Sequence, residues 1–225
     1  LRRQILTGTV DPVTHEPHHP DRLAVFSGHP SDDSPDAPTS VPARVLDKVF
    51  VTETLGLSFI ATVAQWGGAE ADRLYSPDRL GEWLDMVGLP PLRRTVNRAE
   101  QDVLADLRRA VYRTVMARLA GGVADRGDLC LLNEYAGLPR IRPVIAEDAW
   151  NLTYPQGMSF ASLLSELSNS ALDAVAGPWS GRMRRCERSP CTHVFIDKTA
   201  AGRRRWCTSE GCGNVARARA HRSRV

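Results

Sequence analysis

Lysine is nearly missing from this sequence: of its 29 basic residues only Lys48 and Lys198 are lysine, and arginine supplies the rest. The placement of the arginines therefore carries more information than their number. No apolar stretch approaches the ~18 residues of a membrane span; the candidate from Gly56 to Ala64 runs straight into Gln65 and Trp66. No apolar h-region follows Arg2-Arg3, which argues against a secretory signal. Cysteine does not occur before position 130. No P-loop, GxGxxG, GxSxG or HExxH motif is present, so no common enzyme class is indicated. What remains is an ordinary soluble composition, 42% hydrophobic and 24% charged over 225 residues, enough for one or two domains. A reducing, cytoplasmic setting without membrane attachment is the expectation.

The net charge of +3 hides a division. Residues 182–225 hold twelve basic residues against Glu187, Asp197 and Glu210, while residues 1–181 hold seventeen against twenty-three acids. A basic end on an acidic body implies a polyanionic partner for that end.

Residues 1–44 are crowded with Pro, His, Ser and Asp and cannot bury enough surface to offset their ordering entropy, so a disordered segment is expected there. His15, His18 and His19 read as part of a solvated linker. Residues 45–180 read as a mainly α domain with a small β-hairpin. The stretch near Val49 to Ile60 is ambiguous between strand and helix. Ser76-Pro77-Asp78 is a helix start, with an N-cap, Pro at N1 and an acid in the first turn; Gly88 ends that helix. Asn97 and Glu100 have capping-box spacing, ahead of a stripe from Val103 to Leu119. A shorter helix is expected from Asp128 to Tyr135. Arg142 to Ile145 and Trp150 to Tyr154 read as the hairpin strands, and Phe160 to Val175 as an amphipathic helix. Trp83, Met86, Tyr112, Met116, Trp150 and Phe160 read mainly as core, Cys130 as a small buried hydrophobe, and Arg93-Arg94 and Arg108-Arg109 as solvated charges.

The informative stretch is at residues 181–225. Cys186 and Cys191 have four residues between them, as do Cys207 and Cys212, and fifteen residues separate the pairs. Two chelating turns, each holding two thiolates, suit a tetrahedral zinc ion; four sulfurs leave no open position, so one structural zinc is the expectation. Two disulfides are the alternative in an oxidising compartment. Between the pairs, residues 193–197 alternate like a strand, residues 198–202 supply a turn, and Arg203 to Trp206 read as the returning strand. A short helix follows Cys212. Together they form a treble-clef-like four-cysteine zinc finger, with Phe195 and Trp206 as its miniature core.

Cys186, Cys191, Phe195, Asp197, Arg204, Arg205, Trp206, Cys207, Cys212, Gly213 and Asn214 resemble the CGNR zinc finger, and the segment Leu57 to Leu89 resembles the start of the ABATE domain that accompanies it. The resemblance implies a transcription regulator with a sensing or dimerising helical domain, hence DNA, a small-molecule effector and a homodimer as partners. Val215 stands where the family usually has Arg, and Ser58 and Ala61 where it usually has Asp and Asn.

Arg217, His221 and Arg224 share one helical face, with Arg219 and Arg222 on a neighbouring stripe. Arg203 and Arg205 should face away from Arg204. Arginine can bridge two phosphate oxygens, so Arg203, Arg204, Arg205, Asn214, Arg217, Arg219, Arg222 and Arg224 are the candidate nucleic-acid contacts. A zinc-stapled module for a protein or RNA partner is the rival. A thiol redox switch and an enzyme site dispersed in the helical domain are weaker ones.

Overall fold

The structure, a computed structural model, describes residues 52–68, 70–146, 150, 152–154 and 157–223. The expectations for residues 1–44 and for Arg224 lie outside the described residues. Within the described part of the ambiguous apolar stretch lies a helix, α1 (Leu55–Ile60), whose N-cap Thr54 accepts from the Leu57 amide. A hairpin follows, β1 (Val63–Ala64) pairing antiparallel with β2 (Ala71–Asp72). Its turn contains Trp66, which stacks on Tyr112 with ring centroids 4.2 Å apart.

Ser76 caps α2 (Pro77–Met86) with Pro at its start, and Gly88 at φ +73 ends it in a conformation that favours glycine. The capping box forms as the spacing predicts: Asn97 and Glu100 exchange side-chain-to-backbone bonds at the start of α3 (Arg98–Leu119). The next helix, α4 (Arg126–Ala136), starts earlier than expected because Asp125 is its N-cap and Asp128 lies inside its first turn. The exposed hairpin β3 (Val144–Ile145) and β4 (Leu152–Thr153) is antiparallel.

Helix α5 (Phe160–Ala176) is the hub, packing against α1, α3 and α4. Nine of its 17 residues are buried, and Ser and Ala provide many of them, so neighbouring backbones can come close. Gly56 uses that space: a Cβ there would lie 2.7 Å from the Ala171 amide nitrogen, and its own N–H donates to Ser170 Oγ at 2.9 Å. Leu57, Phe59, Trp83, Leu107, Val111, Leu132, Leu163 and Leu167 fill the interior.

Several side chains depart from their expected places. Trp150 and Met86 are exposed rather than core, and so is Cys130. Arg108 is buried, not solvated. Its guanidinium donates to Thr62 Oγ1 at 2.8 Å, pairs with Asp72 and lies over the Phe59 ring. Its spacing from Leu104 and Val111 placed it on the buried stripe all along. Arg109 and Arg94 do sit outside, pairing with Asp106 and Glu100.

Strand β5 (Met183–Arg185) pairs with β6 (Val194–Ile196), antiparallel. This corrects the expected hairpin: β6 takes its partner from the chain before the first cysteine turn, not from Arg203 to Trp206. Met183, Val194 and Ile196 are part of the same apolar cluster as the helices, and burial of that strand face decides the pairing. A π-turn (Ser209–Gly213) leads into α6 (Asn214–Arg222).

Candidate metal centre and nucleic-acid interface

Cys186 follows β5 directly, and its N–H donates to His193 O, which closes the first turn. Cys207 and Cys212 are buried with it, and Cys191 is half-buried. In the second turn Thr208 Oγ1 accepts from the amides of Gly211 and Cys212. A Cβ on Gly211 would come within 2.6 Å of that oxygen, so the turn excludes a larger residue.

The four sulfurs lie within 4.8 Å of one another. Cys191 and Cys207 are 3.8 Å apart, and Cys207 and Cys212 are 3.5 Å apart. Tetrahedral zinc with bonds of ~2.3 Å needs sulfurs about 3.8 Å apart, so donor type and spacing both fit one zinc ion. Hydrogen bonds from Cys207 and from His193 hold the Cys191 thiol down at about 3. Sharing that hydrogen, with burial, pushes Cys207 up, and burial pushes Cys186 up. Arg188 Nε–H donates to Cys212 Sγ at 3.0 Å, which raises the arginine and balances thiolate charge. Around the cysteines Phe195 and Trp206 complete a small separate core, as expected.

The arginines fall into two groups. Arg204 faces inward. Its guanidinium lies 4.5 Å from the Phe195 ring centroid, donates to Trp206 O and Cys207 O, and pairs with Glu53. Glu53 also accepts from the Ile196 amide at 3.3 Å. Nothing in the sequence pointed to Glu53, because 151 residues separate it from Arg204. Below Arg204, Asp197 is enclosed and accepts from Thr199 and from the Arg204 amide, which holds its carboxyl below the usual range.

Arg203, Arg205, Asn214, Arg217, Arg219 and Arg222 are exposed. Arg205 lies 5.0 Å over the half-buried Trp206 ring and pairs with Glu187. Arg217 donates to Asn214 Oδ1 at 2.6 Å, and Arg219 reaches Ser189 O at 3.4 Å. Helix α6 buries none of its residues. With no buried residue it has no core to hold it; α6 hangs from the cysteine cluster at its N-terminal end.

Residues 53–178 match ABATE, described as "Putative stress-induced transcription regulator", and residues 182–225 match the CGNR zinc finger. The chain belongs to the ABATE family and carries a CGNR zinc finger after the ABATE domain. No curated protein matches the chain. Among the described residues no helix is long and apolar enough to cross a membrane.

Proposed function

We propose that this chain is a cytoplasmic, nucleoid-associated DNA-binding transcription regulator and not an enzyme. Residues 45–180 form its regulatory part, where an effector or a second copy acts, and residues 181–225 its DNA-binding finger. Cys186, Cys191, Cys207 and Cys212 hold one structural zinc, which cross-links the two turns and leaves no position for substrate. Arg203, Arg205, Arg217, Arg219 and Arg222 contact phosphates, and Asn214 orients Arg217; Arg224 extends the same set along the sequence. Arg204 contributes by fixing the finger's shape, since its donors are already engaged inside the protein.

The observation that carries this proposal is α6: an arginine-bearing helix, fixed at one end and buried nowhere. Phosphate contacts fix register, and a helix of this kind can enter a groove to read bases. The Trp206–Arg205 stack favours a second reading, single-stranded RNA, because bases stack on such a platform.

Zinc content and binding of the full chain to genomic DNA fragments at two salt concentrations test the proposal. One zinc per chain with selective enrichment, and affinity falling at a log–log slope near −0.9 per phosphate, is the expected result. Preference for single-stranded RNA would replace DNA as the partner. Salt-insensitive binding without selectivity would leave a protein-interaction module.

A further inference from the structure

A cleft of about 330 Å³ lies between the start of α3 and the chain that joins β2 to α2, at the lower end of the size range of small-molecule sites. Its apolar floor is Leu80, Val96 and Leu104, all buried. Buried Arg108 and its partner Asp72 also line it. None of its lining residues belongs to the finger, so it is separate from the metal centre.

Arg108 distinguishes this cleft from an incidental gap. A planar guanidinium offers two parallel donors, Nε–H and Nη2–H, along one edge, which matches the two oxygens of a carboxylate. At two other arginines that edge is filled. Asp128 accepts from Nε and Nη2 of Arg113 at 2.8 and 2.5 Å, and Glu166 accepts from Nε and Nη2 of Arg140 at 2.9 and 2.6 Å. At Arg108 the edge is half filled. Asp72 Oδ2 takes Nη2, but Asp72 Oδ1 is held by the Leu74 amide at 2.8 Å. Nη1 donates to Thr62 Oγ1. Nε is buried with no hydrogen-bond partner. A buried donor left unpaired on a charged group is unfavourable, and such an atom in a folded protein calls for an acceptor.

Charge selects the kind of acceptor. Asp72 balances Arg108. The other charged residues on the wall, Arg98, Asp102 and Arg109, are also paired: Arg98 with Asp102 at 3.4 Å and Arg109 with Asp106 at 3.5 Å. A second carboxylate on Nε would sit beside that of Asp72, and like charges that close disfavour each other. A carbonyl oxygen accepts the same hydrogen without that repulsion.

We infer that this cleft binds a small neutral carbonyl compound with an apolar body. The carbonyl oxygen accepts from Arg108 Nε, and the apolar body covers Leu80, Val96 and Leu104. Arg108 ties α3 to the β1–β2 hairpin through Thr62 and Asp72, so occupancy stiffens that junction. The binding itself is independent of zinc and of DNA; that the compound is the effector of the regulatory part rests on the regulator proposal.

The test is titration of the isotope-labelled, zinc-loaded full chain with benzamide, followed by NMR at the Arg108 Nε–H signal, assigned by its through-bond connection to the Arg108 backbone. Benzoate and benzylamine are comparisons of similar shape, one an anion and the other a cation without a carbonyl. Benzamide should move the signal saturably, benzoate should bind about tenfold more weakly, and benzylamine should leave the signal in place. Ala105→Phe, at a half-buried position on the cleft wall, should abolish the benzamide shift with the circular dichroism unchanged. Asp72→Asn should invert the order, because the unpaired Arg108 charge then selects benzoate. No saturable shift with benzamide, benzoate or benzylamine acting as well as benzamide on the unaltered chain, a shift that survives Ala105→Phe, or an unchanged order in Asp72→Asn would each overturn the assignment. Zinc content and DNA binding of the same preparation report separately on the regulator proposal.

Discussion

Helices α5 and α6 are held in place by opposite means. More than half of α5 is buried, and its backbone touches its neighbours through Ser, Ala and the facing Gly56. Helix α6 has nine residues and buries none, short of the ~12–15 at which isolated helices become marginal in water. One is stabilised by area removed from water; the other depends on its covalent continuity with a cysteine cluster. The contrast separates the tasks of the molecule. The buried helix makes a scaffold, and the unburied one keeps its side chains available for a partner.

Four variants break or sharpen this contrast, and a fifth adds to it. Cys207→Ser should have the largest effect. Structural zinc sites contribute ~10–16 kcal/mol in finger peptides, so the variant should lose zinc and the fold of residues 186–222. The main helices should persist by circular dichroism, but with a lower melting temperature, because Met183, Val194 and Ile196 fill part of their core. An unchanged melting temperature would show that the finger and scaffold are energetically separate. Leu167→Ala should cost about 2–5 kcal/mol in chemical denaturation, since Leu167 is fully buried, while zinc stoichiometry measured on the folded protein stays at one.

Glu53→Ala lies between the regions. It removes the partner of Arg204 and of the Ile196 amide and should cost roughly 1–3 kcal/mol. Faster hydrogen exchange in β6 with zinc retained is the signature; exchange unaltered in β6 would dissociate Glu53 from the docking of the finger. Arg217→Ala with Arg219→Ala should leave stability within ~0.5 kcal/mol yet flatten the salt dependence of DNA binding by about 1.8 in log–log slope. A preserved slope would remove α6 from the phosphate contacts. Val215→Arg, at a half-exposed position on α6, should steepen the slope by about 0.9; no change would mean that this position faces away from the nucleic acid.

The helix starts were legible because capping is local. Ser76, Asn97 and the Pro at position 77 act within one turn of themselves, and all three appear where the spacing placed them. The cysteine cluster was legible for the same reason: two short turns and the chemistry of sulfur define it. Arg108 was partly legible, since its helical phase put it on the apolar stripe, although its charge argued for solvent. The exposure of Cys130 and Trp150 was not legible, because residue type reports only an average preference for the interior.

What the sequence determined by itself, then, was the helices after the first, the four sulfur ligands, the basic end and the family resemblance carried by the finger. Each rests on periodicity, capping or ligand spacing, interactions that span a few residues. The tertiary structure alone decided that β6 pairs with β5 and that Glu53 holds Arg204 out of the exposed set. Those outcomes join segments up to 151 residues apart. They follow from which apolar faces can be buried together, and burial belongs to the folded chain as a whole.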